Sequence, residues 1–462
     1  MWLSSTRTHH WIVYGIAFAA IGSVLLFVVH AATVTSVTLA PQSGTVTGNA
    51  AIVSNSTAIG GKALKFGITG SGSVNTKKPP TTNTTSCGSS TVSTASPSGS
   101  SYGTNALSQW NCALTSRASQ TVTWVAWGDS ITEGQGSSTV AGRWANQTLT
   151  ALRSKYPVSG VSGGFGYIPA FYGTYGPDSQ WSTDPTLSGS ASDNIAKDDG
   201  DDGQEFGDGA GLGMLTVTLK TGGSETFKVT GSSIDIRYNY GSGTFSYKVD
   251  SGSATNVATT GGSGVTGSKH VAFSSASSHT VTISGVSGSV VLEGLMAYNG
   301  DESKGIRLYD GAQTGTTSGD FVAQATNLAA ITASAKADLV TIELGPNDYG
   351  RDGGTPSQLT ANLQTMVKDI RSAATGHEPS IVIVLVYPNN AGSNSLGYAW
   401  SSYESATKAV VSDDPSLGLL NMSSFATAGT SSPYLSSTDD LHPNNAGQTR
   451  FAGMVESYLE DK

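Results

Sequence analysis

The sequence predicts an α/β fold, a three-layer α/β/α arrangement around a parallel sheet, with an inserted all-β domain. After about residue 106, apolar runs such as 121–127, 337–344 and 380–388 alternate with helix-like segments, which is typical of a parallel sheet with helices on both faces. Between residues 211 and 298 the pattern changes to seven short strand-like runs separated by turn residues. These runs predict a small β-sandwich inserted into the α/β domain.

The first 31 residues are predicted to be a signal peptide or a membrane anchor. Residues 11–29 form 19 uncharged, mostly apolar positions, just long enough as a helix to span a bilayer. Arg7 precedes them, and no charged residue follows before Lys62, so the charge asymmetry places the N-terminus in the cytoplasm and the rest of the chain outside. We expect an extracellular protein that is either secreted or held at the membrane by this segment alone.

Two further segments precede the α/β domain. Residues 32–68 contain short strand-like runs and are predicted to be a small β-rich segment. Residues 69–105 are rich in Ser, Thr, Gly and Pro, a composition that cannot bury enough apolar surface to fold and therefore predicts a linker. The α/β domain is then expected in two parts, 106–210 and 299–462, on either side of the insertion 211–298.

Composition excludes one class of partner and permits one covalent link. Only 12% of residues are charged and the net charge is −9, whereas a nucleic-acid-binding protein is expected to carry a basic patch. The two cysteines, Cys87 and Cys112, match no zinc-binding pattern. In an oxidising compartment they predict one disulfide between the linker and the α/β domain, with two free thiols as the alternative.

A candidate serine nucleophile follows the first apolar run of the α/β domain. The string WVAWGDSITEG places Ser130 between a predicted strand and a helix-like segment, a strand–turn–helix setting in which hydrolases present a nucleophile. A serine hydroxyl is a weak nucleophile unless a neutral imidazole removes its proton. In the string DDLHP, His442 is the candidate base, and Asp439 can orient its ring. The alternative is a loop histidine before a helix that starts at Pro443.

Two more strings lie between the serine and the histidine. DGAQTGTT carries Gly315 and LGPND carries Asn347. Each lies just past the carboxyl end of a predicted strand, where open α/β sheets place their sites. Taken alone, Gly315 would be interpreted as a turn glycine and Asn347 as a turn asparagine. A functional role for either residue therefore depends on all four strings occurring together.

The four strings in this order resemble the motif set of the SGNH (GDSL-type) esterase family. The resemblance implies the three-layer fold and a serine ester hydrolase that uses no cofactor and no metal. It also implies that the backbone N–H groups of Ser130 and Gly315 and the side-chain amide of Asn347 form the oxyanion hole. Asp439 fits the family spacing better than its rival Asp440, and Asp348 is interpreted as a structural carboxylate.

A second serine motif is interpreted as accidental. GVSGG at 160–164 fits the G-x-S-x-G pattern with Ser162 as nucleophile. That pattern requires a buried strand before it and a helix after it, and the surrounding sequence provides neither.

These observations predict an exported serine esterase that removes acetyl or other short acyl groups from a carbohydrate or glycan. The partner is an acylated small molecule or polysaccharide, and the β-insertion either binds sugar or only completes the shape of the enzyme. The alternatives are a lipase or an acyltransferase with the same triad, and a surface adhesin with a non-catalytic hydrolase scaffold. The alcohol half of the substrate and the oligomeric state stay open.

Overall fold

The computed structural model describes part of the chain, which divides into two compact units, 1–84 and 85–462. The described residues are 50–54, 62–66, 101–102, 104–170, 185–193, 195–197, 205–207, 211–214, 216–262, 266–350, 354–387, 394, 396–426 and 432–460. The predicted membrane segment and most of the predicted linker lie outside them. In this described part, no helix is both long and apolar enough to cross a membrane.

The strands are numbered in chain order. They are β1 Ala50–Ser54, β2 Lys62–Phe66, β3 Ser101–Tyr102, β4 Thr121–Gly128, β5 Val161–Pro169, β6 Thr186–Ser188, β7 Ala191–Asp193, β8 Ile195–Lys197, β9 Glu205–Gly207, β10 Val217–Lys220, β11 Ser224–Asn239, β12 Thr244–Val249, β13 Thr255–Ala258, β14 Thr266–Ser287, β15 Ser289–Gly300, β16 Gly305–Ala312, β17 Leu339–Glu343, β18 Ser380–Leu385 and β19 Gly418–Asn421.

The helices are numbered in the same way. They are α1 Ser108–Ser116, α2 Ser130–Glu133, α3 Trp144–Lys155, α4 Ser318–Ala323, α5 Ala325–Ser334, α6 Pro346–Gly350, α7 Pro356–Ala373, α8 Trp400–Asp413 and α9 Asn445–Glu460. In the first unit, β1 and β2 form an antiparallel pair within the segment predicted to be β-rich.

A six-stranded sheet forms the centre of the second unit, in the order β16–β4–β17–β18–β19–β3. The first five strands are parallel, and the short β3 joins the edge in the antiparallel sense. Every residue of β17 and β18 is buried, as expected when helices cover both faces of a parallel sheet. Helix α3 packs on α9, and α7 packs on α5 and α8. The predicted α/β fold is confirmed.

The longest helix of this layer shows how local sequence sets the elements. Thr355 and Gln358 form a capping box at the start of α7, and Pro356 occupies its first turn, a position that proline favours. The residues that α7 buries recur at helical spacing, so one face of the helix is apolar. They are Leu359, Leu363, Met366, Val367 and Ile370.

Nine of the inserted strands form one large antiparallel sheet, and β8 and β9 form a separate antiparallel pair. The large sheet has its own core, separate from that of the parallel sheet, because alternate residues along β11 and β14 turn inward. The largest members of this second core include Phe227, Phe245, Ile236, Ile283 and Leu292. The prediction of an all-β domain inserted in an α/β protein is therefore confirmed.

The insertion begins earlier than the predicted bounds of 211–298. Strand β5 follows α3 directly and pairs with β15, while β6 and β7 pair with β11 and β10. The all-β part thus extends back to Val161. The sequence did not reveal β5 because glycines with positive φ at Gly163, Gly164 and Gly166 interrupt its pattern and resemble a loop.

The insertion packs closely on the edge strand of the parallel sheet. A Cβ at Gly166 in β5 would lie 2.7 Å from the carbonyl oxygen of Leu308 in β16. The rings of Tyr167 and Tyr309 stack with centroids 6.2 Å apart, and the hydroxyl of Tyr167 donates to the carbonyl of Glu293 at 2.5 Å. Tyr167 is buried in this contact between the insertion and the parallel sheet.

Replacing Gly166 by Ala should destabilise the second unit more than the matched change Gly160→Ala. Both glycines have positive φ, so both variants meet the conformational penalty of about 1–2 kcal/mol. Only Gly166 meets backbone atoms of another strand, whereas nothing lies within 4 Å of a Cβ at Gly160. We expect an additional loss of about 1–3 kcal/mol in the free energy of unfolding for Gly166→Ala. Equal denaturation midpoints for the two variants would contradict this close approach.

Candidate active site

The segment around Ser130 forms a sharp turn between a buried strand and a short helix. Strand β4 is buried from Val122 to its end at Gly128, and α2 begins at Ser130. The side chain of Asp129 caps this helix by accepting from the backbone N–H of Ile131 at 2.9 Å. A Cβ at Gly128 would lie 2.3 Å from Oγ1 of Thr132. The turn therefore requires glycine at this position, which explains the first residue of the GDS string.

Ser130, His442 and Asp439 are joined by hydrogen bonds, as their sequence pattern predicts. His442 Nε2 lies 2.8 Å from the hydroxyl oxygen of Ser130, and His442 Nδ1 lies 2.8 Å from Oδ2 of Asp439. A carboxylate can only accept, so Nδ1 of a neutral ring carries the hydrogen and Nε2 is left as the acceptor for the Ser130 hydroxyl. This tautomer is the one that a general base needs.

Asp439 is held in its ionised form by several donors. Its Oδ1 accepts from the backbone N–H groups of Leu441 at 2.8 Å and His442 at 3.0 Å. Burial acts to raise the pKa of Asp439, but these hydrogen bonds and the interaction with His442 outweigh it, so the pKa is lowered. It is Asp439 that contacts the imidazole, and Asp440 instead adopts a positive φ of 52° in the turn.

The loop that carries His442 is fixed by contacts with two other segments and by a hydrogen bond within the loop. The hydroxyl of Tyr387, just after β18, donates to the carbonyl of Leu441 at 2.6 Å. Ser436 N–H donates to the carbonyl of His442 at 2.7 Å. A Cβ at Gly136 would lie 2.5 Å from the carbonyl oxygen of Pro443, so the loop after α2 approaches this loop closely. Tyr387 and Gly136 have no signal in the sequence that would assign them this role.

Asn347 reaches the Ser130 segment and the Gly315 turn at once. Its side-chain Nδ2 donates to the carbonyl of Thr316 at 2.9 Å and to Oδ2 of Asp129 at 3.3 Å. Gly315 has a positive φ of 75°, a conformation that favours glycine. The structure thus brings the turn containing Gly315 and the side chain of Asn347 to the segment that carries Ser130.

The Gly315 turn is also attached through the residue before it. Thr314 donates its backbone N–H to Oε2 of Glu133 at 2.5 Å and its hydroxyl to Oε1 of Gln135 at 2.9 Å. Glu133 is the last residue of α2 and is 3% exposed. Thr314 thus connects the Gly315 turn to Glu133 and Gln135, and Thr316 is connected to Asp129 through Asn347. The sequence analysis missed Glu133, although a carboxylate in the SITEG string is a visible signal.

A buried ion pair holds α2 against the edge strand β16. The guanidinium of Arg143 is completely buried, lies 2.5 Å from Oδ2 of Asp310, and donates to the carbonyl of Glu133 at 3.1 Å. Removing one partner of such a pair leaves an uncompensated buried charge, which typically costs about 3–5 kcal/mol. Arg143 and Asp310 therefore fix the end of α2 relative to the sheet.

The remaining carboxylate of the LGPND string is structural, in line with its interpretation. Asp348 is completely buried and accepts from the backbone N–H of Ser318 at 3.0 Å and from its hydroxyl at 2.5 Å. Burial raises the pKa of Asp348 to about 6. These bonds connect α6 to the start of α4, behind the turn that carries Gly315.

Ser162 lies in a different setting. It is an exposed residue within β5 and not at a turn between a strand and a helix, so the G-x-S-x-G pattern does not form a nucleophile elbow there. Within the described residues, no group of three or more His, Cys, Asp or Glu is arranged to hold a metal ion. Cys112 in α1 is disulfide-bonded, and Cys87 lies outside the described part.

Residues 283–450 match the model of the GDSL-like Lipase/Acylhydrolase family. The matched range includes Gly315, Asn347, Asp439 and His442. Ser130 precedes it, because the all-β insertion separates the GDS string from the other three. No curated protein matches the chain.

Several solved structures are similar to parts of this chain. A peptidoglycan O-acetylesterase is similar with a TM-score of 0.55 and 14% identity, over 77% of this chain and 95% of that chain. TesA has a TM-score of 0.28 and 24% identity over 35% of this chain and 81% of its own. A two-domain esterase (CEX) active on acetylated mannans has a TM-score of 0.36 and 12% identity, over 76% of this chain and 52% of that chain. At 14% identity, the likeness to the peptidoglycan O-acetylesterase concerns the fold alone.

Asp439→Asn should remove the orienting contact of His442, whereas Asp440→Asn should preserve it. A proton on Nδ1 bonded to a carboxylate is deshielded and protected from exchange, so we expect a low-field imidazole N–H resonance in the native protein. That resonance should be lost or shifted in Asp439→Asn and unchanged in Asp440→Asn. The reverse pattern in the proton NMR spectra would assign the orienting role to Asp440.

Proposed function

We propose that this chain, a serine ester hydrolase with a GDSL-like acylhydrolase domain, removes acetyl or other short acyl groups from a carbohydrate or glycan outside the cell. Ser130, His442 and Asp439 are its catalytic triad. The observation that carries the proposal is the continuous hydrogen-bond chain through these three residues, with 2.8 Å at both contacts of the imidazole.

Acylation begins with the attack of Ser130 Oγ on the acyl carbon of the ester. His442 Nε2 takes the hydroxyl proton as the bond forms, and Asp439 stabilises the imidazolium through Nδ1. The imidazolium then donates its proton to the leaving alcohol as the ester bond breaks, which leaves the acyl group on Ser130. A water molecule activated by the same imidazole releases the acid and restores the serine.

The negative charge on the carbonyl oxygen requires donors that are already in place. The proposed donors are the backbone N–H groups of Ser130 and Gly315 and the side-chain amide of Asn347. Asn347 Nδ2 has a firm bond to the carbonyl of Thr316 at 2.9 Å and a longer one to Asp129 at 3.3 Å. The longer bond is the weaker one, so the hydrogen that makes it is the one available to an oxyanion.

Three observations support a glycan ester as the substrate. The chain carries a large antiparallel β-domain packed on the edge of the hydrolase sheet. The fold of the chain resembles that of a peptidoglycan O-acetylesterase. The apolar segment 11–29 and the low fraction of charged residues are typical of exported proteins, which meet polymeric glycans at the cell surface.

Ser130→Ala should abolish ester hydrolysis, because the residual rate then comes only from binding and the oxyanion donors. We expect kcat on an aryl acetate to fall by roughly 10³-fold or more. Ser162→Ala, which changes an exposed serine of β5 in the same way, should leave kcat within about twofold of the native value. Loss of activity in Ser162→Ala with retention in Ser130→Ala would refute the nucleophile assignment.

A panel of aryl esters from acetyl to palmitoyl, assayed beside O-acetylated and deacetylated polysaccharides, tests the substrate class. We expect acetyl to be the best acyl group, little turnover beyond about six carbons, and release of acetate from at least one acetylated glycan. Specificity follows from kcat/KM, measured for each ester with Ser130→Ala as the blank. A preference for long acyl chains would favour the lipase alternative, and ester exchange onto an added sugar without free acid would favour an acyltransferase.

A further inference from the structure

Two carboxyl groups are buried side by side beneath the nucleophile, and the proposed reaction uses neither. Asp129 is 0% exposed and Glu343 is 1% exposed. Glu343 is the last residue of β17, and its partner across the sheet is Gly128, the residue before Asp129. A Cβ at Gly128 would lie 3.0 Å from Oε2 of Glu343. The side chain of Glu343 therefore occupies the space that glycine leaves open in the GDS string.

The two oxygens of Glu343 have different surroundings. Oε2 accepts from the hydroxyl of Thr132, within α2, at 2.8 Å. Oε1 is buried and no donor reaches it. A buried acceptor without a donor is costly, whereas a protonated Oε1 would itself be a donor. The neighbouring acceptor is Asp129, whose side chain is hydrogen-bonded to that of Glu343 and already receives the N–H of Ile131 and the amide of Asn347.

Electrostatics favours one proton on this pair. Two carboxylates in contact away from water cannot both be ionised at ordinary pH. Burial and the charge of Asp129 raise the pKa of Glu343 well above its ordinary value. Burial also raises the pKa of Asp129, while the N–H of Ile131 and the hydrogen bond from Glu343 act in the opposite direction. The proton therefore belongs on Glu343, and Asp129 keeps the negative charge.

Other titratable groups face the pair and do not change this assignment. The phenol of Tyr387 has a pKa raised well above its ordinary value, chiefly by burial and then by the charges of Glu343 and Asp129, so it stays neutral. The imidazolium form of His442 stabilises the charge on Asp129, and the charge of Asp348 opposes it.

We propose that Glu343 is a positioning residue that acts as a neutral carboxyl group, accepting from Thr132 and donating to Asp129. In this way it fixes the helix that begins at Ser130, and through Asp129 it orients the amide of Asn347 before the oxyanion forms. The inference rests on the roles proposed for Ser130 and Asn347. It adds that the site requires a protonated Glu343, a residue that does not contact the substrate.

The test compares Glu343→Gln with Glu343→Leu on an aryl acetate. Glutamine keeps the shape and neutrality of the protonated acid, with one N–H to donate to Asp129 and one oxygen to accept from Thr132. We expect kcat of Glu343→Gln to stay within about threefold of the native value. Leucine removes both bonds, so kcat of Glu343→Leu should fall about 30-fold or more with little change in KM, because the loss affects the transition state.

Glu225 provides a matched control for burial. It is a completely buried glutamate in β11, away from Ser130, and both of its carboxyl oxygens lack a donor. Glu225→Gln and Glu225→Leu report what a change of a buried carboxyl does to folding alone, and both should leave kcat near the native value. Native kcat in Glu343→Leu, or equal inactivity of the folded Gln and Leu variants, would overturn the proposal.

The proton itself can be observed without any assay of activity. In protein labelled with ¹³C at the glutamate carboxyl groups, we expect one resonance, absent in Glu343→Gln, at the position of a neutral acid at pH 7. Raising the pH until this resonance shows ionisation should lower kcat of the native enzyme and not that of Glu343→Gln. An ionised Glu343 at pH 7 would refute the proposal even if Ser130→Ala confirms the esterase. An inactive native enzyme with a neutral Glu343 would instead count against the proposed function.

Discussion

The common level at which three parallel strands end is the constraint on which the site depends. Gly128, the last residue of β4, lies beside Ala312 of β16 and Glu343 of β17. The chain beyond each strand then supplies one part of the site: Ser130 after β4, the Gly315 turn after β16, and Asn347 after β17. Because the carboxyl ends of parallel strands meet at one edge, residues more than 200 positions apart in sequence lie within hydrogen-bond distance.

Buried polar contacts hold this edge in one arrangement. Asp129 and Glu133, at the two ends of helix α2, contact Asn347 and the residue before Gly315. Arg143 connects the same helix to Asp310 on β16. Such groups are expensive to bury unless each is paired, so a shift of one element would leave several of them unsatisfied. The cost of burying them is thus the reason that the geometry around Ser130 is well defined.

The β-insertion interrupts the hydrolase between α3 and β16 without separating the parts of the site. Strand β5 leaves α3, joins the antiparallel sheet and runs close to β16 at Gly166. The return of the chain from β15 into β16 completes the parallel sheet at its edge. The insertion is therefore attached to the sheet over a packed surface, in which Tyr167 and Tyr309 stack, rather than by a pair of flexible connections.

The sequence by itself determined the features that depend on local pattern: the parallel sheet, the presence of an all-β insertion, and Ser130, Gly315, Asn347, Asp439 and His442 as one candidate set. The sheet and the insertion follow from strand periodicity, which is a property of neighbouring residues, whereas the candidate set follows from the resemblance of four short strings to one family. Only the tertiary structure decided that the insertion begins at Val161, that Glu133 contacts the turn of Gly315, and that Glu343 lies beside Gly128 at the start of the Ser130 segment. Each of these depends on which segments meet in space, and the register of a sheet and the approach of two glycine-rich strands are set by packing across the whole domain.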